Sequence, residues 1–212
     1  MADIKLSPYQ IEKFEDFFNL LQNEGDGFLY FSDFLPHIDY LKILKEWNIG
    51  DHGYKRIVNA KTRLWNVMTY LAEATLSNKI SKDQWIVFWG QMAEAAQKGQ
   101  TFHVHSEEEE KTPKGLPKVT AIVMHTFYKI IDIDDQKGIS RKEYKWYLES
   151  IGVPVSDSRI NQIWGKLTKG TKDPEFILID EMEELLKQWL INQDSENPAP
   201  GDYFPYGGDS TV

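Results

Sequence analysis

The 212 residues include 41% hydrophobic and 13% aromatic side chains, enough to bury a substantial core and to exclude disorder over most of the length. A formal charge of −9 argues against a surface that tracks phosphates, which needs clustered Lys and Arg. There is no cysteine, so disulfides and thiolate metal sites are excluded, and no stretch approaches the roughly 20 apolar residues of a membrane span. The N-terminal run MADIKLSPYQIEKFEDFF has no basic region followed by an apolar core. The expectation is a soluble cytoplasmic protein, monomeric, with no nucleic-acid partner and no membrane span.

Helical periodicity dominates the chain. Ser7 and Pro8 supply an N-cap and a first-turn proline, and Ile11, Phe14, Phe17, Phe18 and Leu21 keep to one face of the first predicted helix. The glycine-rich NEGDGF turn ends it, and a second helix is expected from about Asp33. A third carries Val58, Leu64, Trp65, Met68 and Leu71, and a fourth Trp85, Ile86, Phe88, Trp89 and Met92. The stretch GQTFHVHSEEEEKTPKGLP has breakers and little apolar content, which marks a linker. Beyond it the rhythm repeats, with a helix through Val119, Ile122, Val123, Phe127 and Ile131 and another ending near Ser150. A seventh helix is capped by Ser156, and an eighth runs from Asp180 to Ile191. The pattern divides the chain into a first half (1–99), an acidic linker (100–117), a second half (118–192) and a Pro/Gly-rich tail (193–212) too irregular for repeating structure. The aromatics Tyr203, Phe204 and Tyr206 suit that tail to docking on the body.

Between the helices of each pair lies a short loop, and the third reads DIDDQKGISRKE. A 12-residue loop can surround calcium with oxygens at places one, three, five, seven (a carbonyl), nine and twelve, with glycine at six for the sharp turn. Asp132, Asp134, Gln136, Gly138 (carbonyl), Ser140 and Glu143 take the ligand places, and Ile139 takes the apolar place eight. Lys137 stands where glycine belongs, and a left-handed backbone there costs a non-glycine residue about 1–2 kcal/mol. Gly138, one place late, is the candidate to take up part of that strain. Four acidic side chains (Asp132, Asp134, Asp135, Glu143) against three basic ones (Lys137, Arg141, Lys142) leave a loop charge of −1, which implies a weak site.

The other loops are poorer. The first, Gln22 to Asp33, has the better turn in Asp26-Gly27 and an apolar Leu29 at place eight, but Gln22 and Asp33 are weak choices for places one and twelve. The second keeps Ile80 but has Gln84 for the final carboxylate. The fourth keeps Ile177 and Glu181, yet is about two residues too long and contains Pro174. Neither is expected to bind calcium.

Four helix-loop-helix units over about residues 8 to 192 resemble the EF-hand superfamily. The length, the Trp-rich helices and the aromatic-ended loops are similar to the sarcoplasmic calcium-binding protein and calerythrin group, and IDIDDQKGISRKEYKWYLESIG and the PYGG tail show a distant likeness to coelenterazine-binding photoproteins. The resemblance implies an all-α fold of two EF-hand pairs, with a very short β-ribbon joining the loops of each pair. It also implies calcium as the cofactor, held weakly at best, in an intracellular buffer or sensor.

Two other readings come from different classes. A metal-independent scaffold would recognise a partner protein helix. A carrier would hold a small apolar ligand in a pocket lined by Trp65, Trp85, Trp89, Trp146, Trp164 and Trp189, which ordinary core packing also explains. His103 and His105 fall in the linker and make a poor metal site, Glu107 to Glu110 read as a solvated spacer, and His125 reads as a partial-core residue. No G-x-S-x-G, H-E-x-x-H, dinucleotide or P-loop pattern signals an enzyme.

Overall fold

A computed structural model describes residues 5–72, 74, 77–99 and 116–207, with side chains from 122 onward in the second half. Eight α-helices occur among the described residues: α1 Pro8–Leu21, α2 Leu35–Leu44, α3 His52–Leu71, α4 Lys82–Gln97, α5 Leu116–Ile131, α6 Arg141–Ser150, α7 Asp157–Leu167 and α8 Ile179–Ile191. Local chemistry sets several starts. Ser7 accepts from the Gln10 amide while the Gln10 side chain returns the bond to the Ser7 amide, a capping box with Pro8 behind it. Ser81 with Gln84 and Ser140 with Glu143 repeat the device on α4 and α6, and Ser156 caps α7.

Three boundaries differ from the sequence reading. Asp33 belongs to a 3-10 turn, Phe31–Phe34, that precedes α2. Helix α5 begins at Leu116, so residues 116 and 117 leave the linker, because a proline is tolerated in a first turn where its missing N–H is not needed. The tail contains a 3-10 turn, Pro200–Tyr203, despite its composition. The histidines at 103 and 105 and the glutamates at 107 to 110 lie outside the described residues.

The loops pair within each half. Strand β1 (Phe28–Leu29) runs antiparallel to β2 (Ile80–Ser81), with Leu29 opposite Ile80, and β3 (Ile139–Ser140) runs antiparallel to β4 (Phe176–Ile177), with Ile139 opposite Ile177. The four apolar place-eight residues are all buried, so each ribbon ties its two loops to the core.

A main core unites both halves, and a smaller cluster of Ile38, Leu41, Ile57 and Ile133 lies apart from it. Phe17 lies at the centre of the main core. Its ring meets Trp85 at 5.5 Å, Trp189 at 6.0 Å, Trp89 at 6.1 Å, Phe127 at 6.4 Å and Tyr206 of the tail at 5.7 Å, mostly edge-on as aromatic quadrupoles favour. The tryptophans pack against one another and against phenylalanines: Trp89 and Trp189 lie 4.9 Å apart, and Trp65 meets Phe34 at 5.8 Å. The gap lined by Phe17, Trp85, Trp89 and Tyr147 measures about 10 Å³, room for no more than one water. Trp146 lies apart, half-buried, with Lys45 and Lys142 over its ring.

The tail docks through charge as well as rings. Lys13, on α1, reaches the Asp202 carboxylate at 2.8 Å with both side chains 4% exposed, and also donates to the carbonyls of Trp189 and Asn192. Asp202 accepts further bonds from the Ala199 amide and from Asn192, while Tyr144 donates to the Tyr203 carbonyl. Removing one partner of a buried pair strands the other charge. Asp202→Ala is therefore expected to cost about 3 kcal/mol or more, read from the shift of the urea unfolding midpoint at unchanged slope.

Candidate metal centre

Loop three runs from the last residues of α5 to the first turn of α6, and the order of its residues sets its shape. Asp132 accepts from the backbone amides of Gln136 (3.1 Å) and Lys137 (3.3 Å), folding the chain back over the carboxylate. Asp134 accepts from Gln136 at 3.3 Å. The fold-back requires two left-handed residues, Asp135 (φ 63°) and Lys137 (φ 64°). In loop one the equivalent places four and six are Gly25 (φ 68°) and Gly27 (φ 85°), so the third loop copies a glycine backbone without the glycines.

Gly138 does not relieve this turn, contrary to the sequence expectation. It lies outside the left-handed region, and its role is space: a Cβ there would meet the Cβ of Phe176 at 3.2 Å, on the neighbouring strand. Lys137 bears the strain itself and leaves its ammonium exposed to solvent.

The structure brings one oxygen each of Asp132, Asp134 and Glu143 within 4.8 Å of one another. Asp132 and Glu143 are each 2% exposed, while Asp134 is open to solvent. Burial pushes both buried carboxyls above their ordinary pKa, against the lowering effect of Arg56 on Asp132 and of the Ser140 bonds on Glu143. Arg56 offsets part of the trio's charge from one side, and a hard divalent ion bound by oxygens is chemically suited to offset the rest. Of the other candidate ligands, Gln136 holds its side chain in solvent, Gly138 is buried under Phe176, and the Ser140 hydroxyl donates to Glu143 Oε2 at 2.8 Å.

Glu143 is heavily engaged. Oε1 accepts from the amides of Ile133 (2.8 Å) and Asp134 (3.1 Å), and Oε2 from the amide and hydroxyl of Ser140 (2.9 and 2.8 Å). A carboxylate offers about four acceptor positions, so an ion would compete with the loop's own hydrogens. The same latch recurs. In loop one, Asp33 accepts from the amides of Asn23 and Tyr30, and in loop four Glu181 accepts from those of Lys172 and Leu178. In loop two, Gln84 accepts from the Ser81 amide.

Loop one goes further. The Gln22 amide nitrogen, at place one, donates to the Asp26 carboxylate (3.2 Å) and to the Phe28 carbonyl (3.1 Å), the oxygens of places five and seven. A neutral N–H donor thus serves the oxygens that a cation would otherwise collect. In loop four the Thr171 hydroxyl lies 2.9 Å from the Thr168 carbonyl and 3.0 Å from that of Asp173, and its one hydrogen serves one of them at a time.

Arg56 was not singled out from sequence. From α3 in the first half it donates to the carbonyls of Lys129 (3.2 Å), Asp132 (2.7 Å) and Ile133, capping the C-terminus of α5 and fixing the start of loop three. The only sequence signal was an arginine on a helix of suitable length, which says nothing of a partner 76 residues away. His125, from α5, is half-buried.

No protein-family model and no curated protein matches the chain. Among solved structures, the calcium-loaded apo form of the coelenterazine-binding protein from Renilla muelleri is similar, with a TM-score of 0.64 and 17% identity over 94% of this chain and 96% of that one. The sarcoplasmic calcium-binding protein from amphioxus gives 0.59 and 16% over 94% and 97%. A calcium-binding protein from Streptomyces coelicolor gives 0.58 and 10% over 85% and 97%. This chain has the EF-hand fold. Its two EF-hand pairs and short ribbons match the architecture expected from the four loops, and no described helix is long and apolar enough to cross a membrane.

The strained turn of this EF-hand loop yields a direct check. Lys137→Gly removes the left-handed penalty and restores some chain entropy to the unfolded state, so a net stabilisation of about 0.5 to 1 kcal/mol is expected in chemical denaturation.

Proposed function

We propose that the protein is an intracellular calcium-binding EF-hand protein, of the buffer or sensor kind, with one weak site in loop three. Asp132, Asp134, Gln136, the Gly138 carbonyl, Ser140 and Glu143 are its ligands. The observation that carries this reading is the trio of carboxylate oxygens within 4.8 Å, two of them on buried groups whose ionisation the fold opposes. When bound, calcium supplies positive charge at the three carboxylates beyond the partial compensation from Arg56. Asp132 holds the backbone turn in place, Arg56 fixes the loop's first residues from the opposite half, and Glu143 exchanges amide hydrogens for the ion. That exchange and the loop charge of −1 set the affinity at the weak end of the sensor range, with a dissociation constant on the order of 10⁻⁵ M.

Titration calorimetry on the wild type is expected to show saturable binding of one equivalent of calcium, and Glu143→Gln to abolish it. Flat traces from both proteins would refute the proposal. At calcium one hundredfold above the dissociation constant, the fold gains about 2.7 kcal/mol.

The pH dependence follows from the raised carboxyls. In the metal-free protein Asp132 and Glu143 contribute stability that is present below the ordinary carboxylate pKa and is lost as the pH rises through their raised values. Calcium binds the ionised form, so its effect has the opposite slope. The rise in melting temperature on adding calcium is expected to be larger at about pH 7 than at about pH 5.

A second reading, a metal-independent scaffold for a partner helix, is favoured by one observation. Loop one closes through the Gln22 amide nitrogen, which donates to Asp26 and to the Phe28 carbonyl, and Ile43 and Ile49 beyond it are exposed. This reading predicts that calcium leaves the melting temperature unchanged, so the same melting curves separate the two.

A further inference from the structure

The first and second halves meet beside loop one in a cleft of about 350 Å³, away from loop three. Its wall includes Leu20, Asn23, Tyr40 and Glu149, and its inner surface carries Lys61 and His37. Lys61 projects from α3 and is 4% exposed, yet it makes no hydrogen bond and no ion pair among the described residues. Its nitrogen stands 5.1 Å from the centre of the Phe34 ring. The carboxylates bordering the cleft are committed elsewhere. Asp33 accepts from the amides of Asn23 and Tyr30, and Glu149 accepts from the Tyr40 hydroxyl at 2.6 Å.

This is the reverse of Lys13, which is equally buried but held by a carboxylate and two carbonyls. Burial without a partner lowers Lys61 to a pKa of about 7, so a large share of the side chain is a neutral amine near neutral pH. A neutral lysine amine in an apolar setting is a nucleophile towards carbonyl carbon.

His37 complements it. The Ser150 hydroxyl donates its one hydrogen to the Tyr147 carbonyl at 2.6 Å, so the bond of 2.8 Å between Ser150 and His37 Nδ1 takes its hydrogen from the imidazole. That tautomer leaves Nε2 with a free lone pair, and Nε2 is buried without a hydrogen-bond partner. Burial, with the nearby Lys61 charge, holds the ring well below its ordinary pKa and therefore neutral.

We propose that this cleft is a binding site for a small aldehyde, in which Lys61 forms a Schiff base and His37 Nε2 relays the proton. The Lys61 lone pair forms a C–N bond to the carbonyl carbon as the C=O π pair moves to oxygen. A proton passes from nitrogen to that oxygen by way of His37, giving the carbinolamine. Loss of one water leaves the C=N bond, with no oxidant or reductant consumed. The mixed lining of Leu20, Phe34, Asn23 and Tyr40 suits a mainly apolar compound of modest size, within the range of known ligand cavities.

The experiment treats the full-length protein with benzaldehyde and sodium cyanoborohydride, which reduces the Schiff base to a stable secondary amine, and maps the modified lysines by peptide mass spectrometry. At about pH 7, Lys61 is expected to label at least about tenfold faster than the exposed Lys137 and Lys169, because imine formation needs the neutral amine that burial favours at Lys61. The advantage should shrink towards about pH 10, where an ordinary alkylamine is already partly neutral without any help from burial. Asp33, His37, Tyr40 and Glu149 are the titratable groups facing the cleft. The comparison is made within one folded protein, so it needs no variant to fold. Labelling of Lys61 no faster than Lys137 and Lys169 would overturn the proposal, whatever calcium titration shows.

Discussion

Three of the four loops are organised by one constraint: a carboxylate at or just before the exiting helix reaches back and satisfies amide hydrogens of the loop before it. Asp33, Glu143 and Glu181 each place one oxygen on an early-loop amide and the other on the amide three residues upstream. The Ile133 amide is buried, and leaving such a donor unmade costs about 1–3 kcal/mol, while the partly exposed amides lose less. The latch thereby fixes the angle between loop and helix, brings the two-residue strands into register and presents the apolar place-eight residue to the core. Metal binding, where it occurs, is superimposed on a closure that the protein already makes by itself.

This accounts for how differently the loops treat charge within one fold. In loop one a side-chain amide donates to two oxygens of the loop, and in loop four a hydroxyl serves one carbonyl. Loop three has no such substitute, and its buried carboxyls resist ionisation instead. A loop that bridges its own oxygens is stable in one state. One that leaves them mutually repelling retains a reason to take up an ion.

Much of this architecture is visible in the residues themselves. Helical spacing, the Ser7-Pro8 and Ser156 caps and the recurrence of Leu29, Ile80, Ile139 and Ile177 are local signals, and they identify the fold because they agree with one another. The missed features depend on partners distant in sequence. A lysine at a glycine position looks like a defect to be shared with Gly138, but Gly138 is reserved for the Phe176 side chain on the opposite strand. Gln22 reads as a missing ligand until its amide is seen bonded across the loop. Arg56 and Lys61 sit five residues apart on α3, one committed to three carbonyls of the other half and the other to none. No pattern along a single chain distinguishes such neighbours.

The clasp between Lys13 and Asp202 joins residues 189 positions apart. Synthesis delivers α1 early and its counter-charge only much later, so the ribosome-bound chain must hold an uncompensated ammonium where the finished protein buries one. Without that acid the Lys13 ammonium is better solvated than buried, so α1 reaches its final packing only with the tail in place.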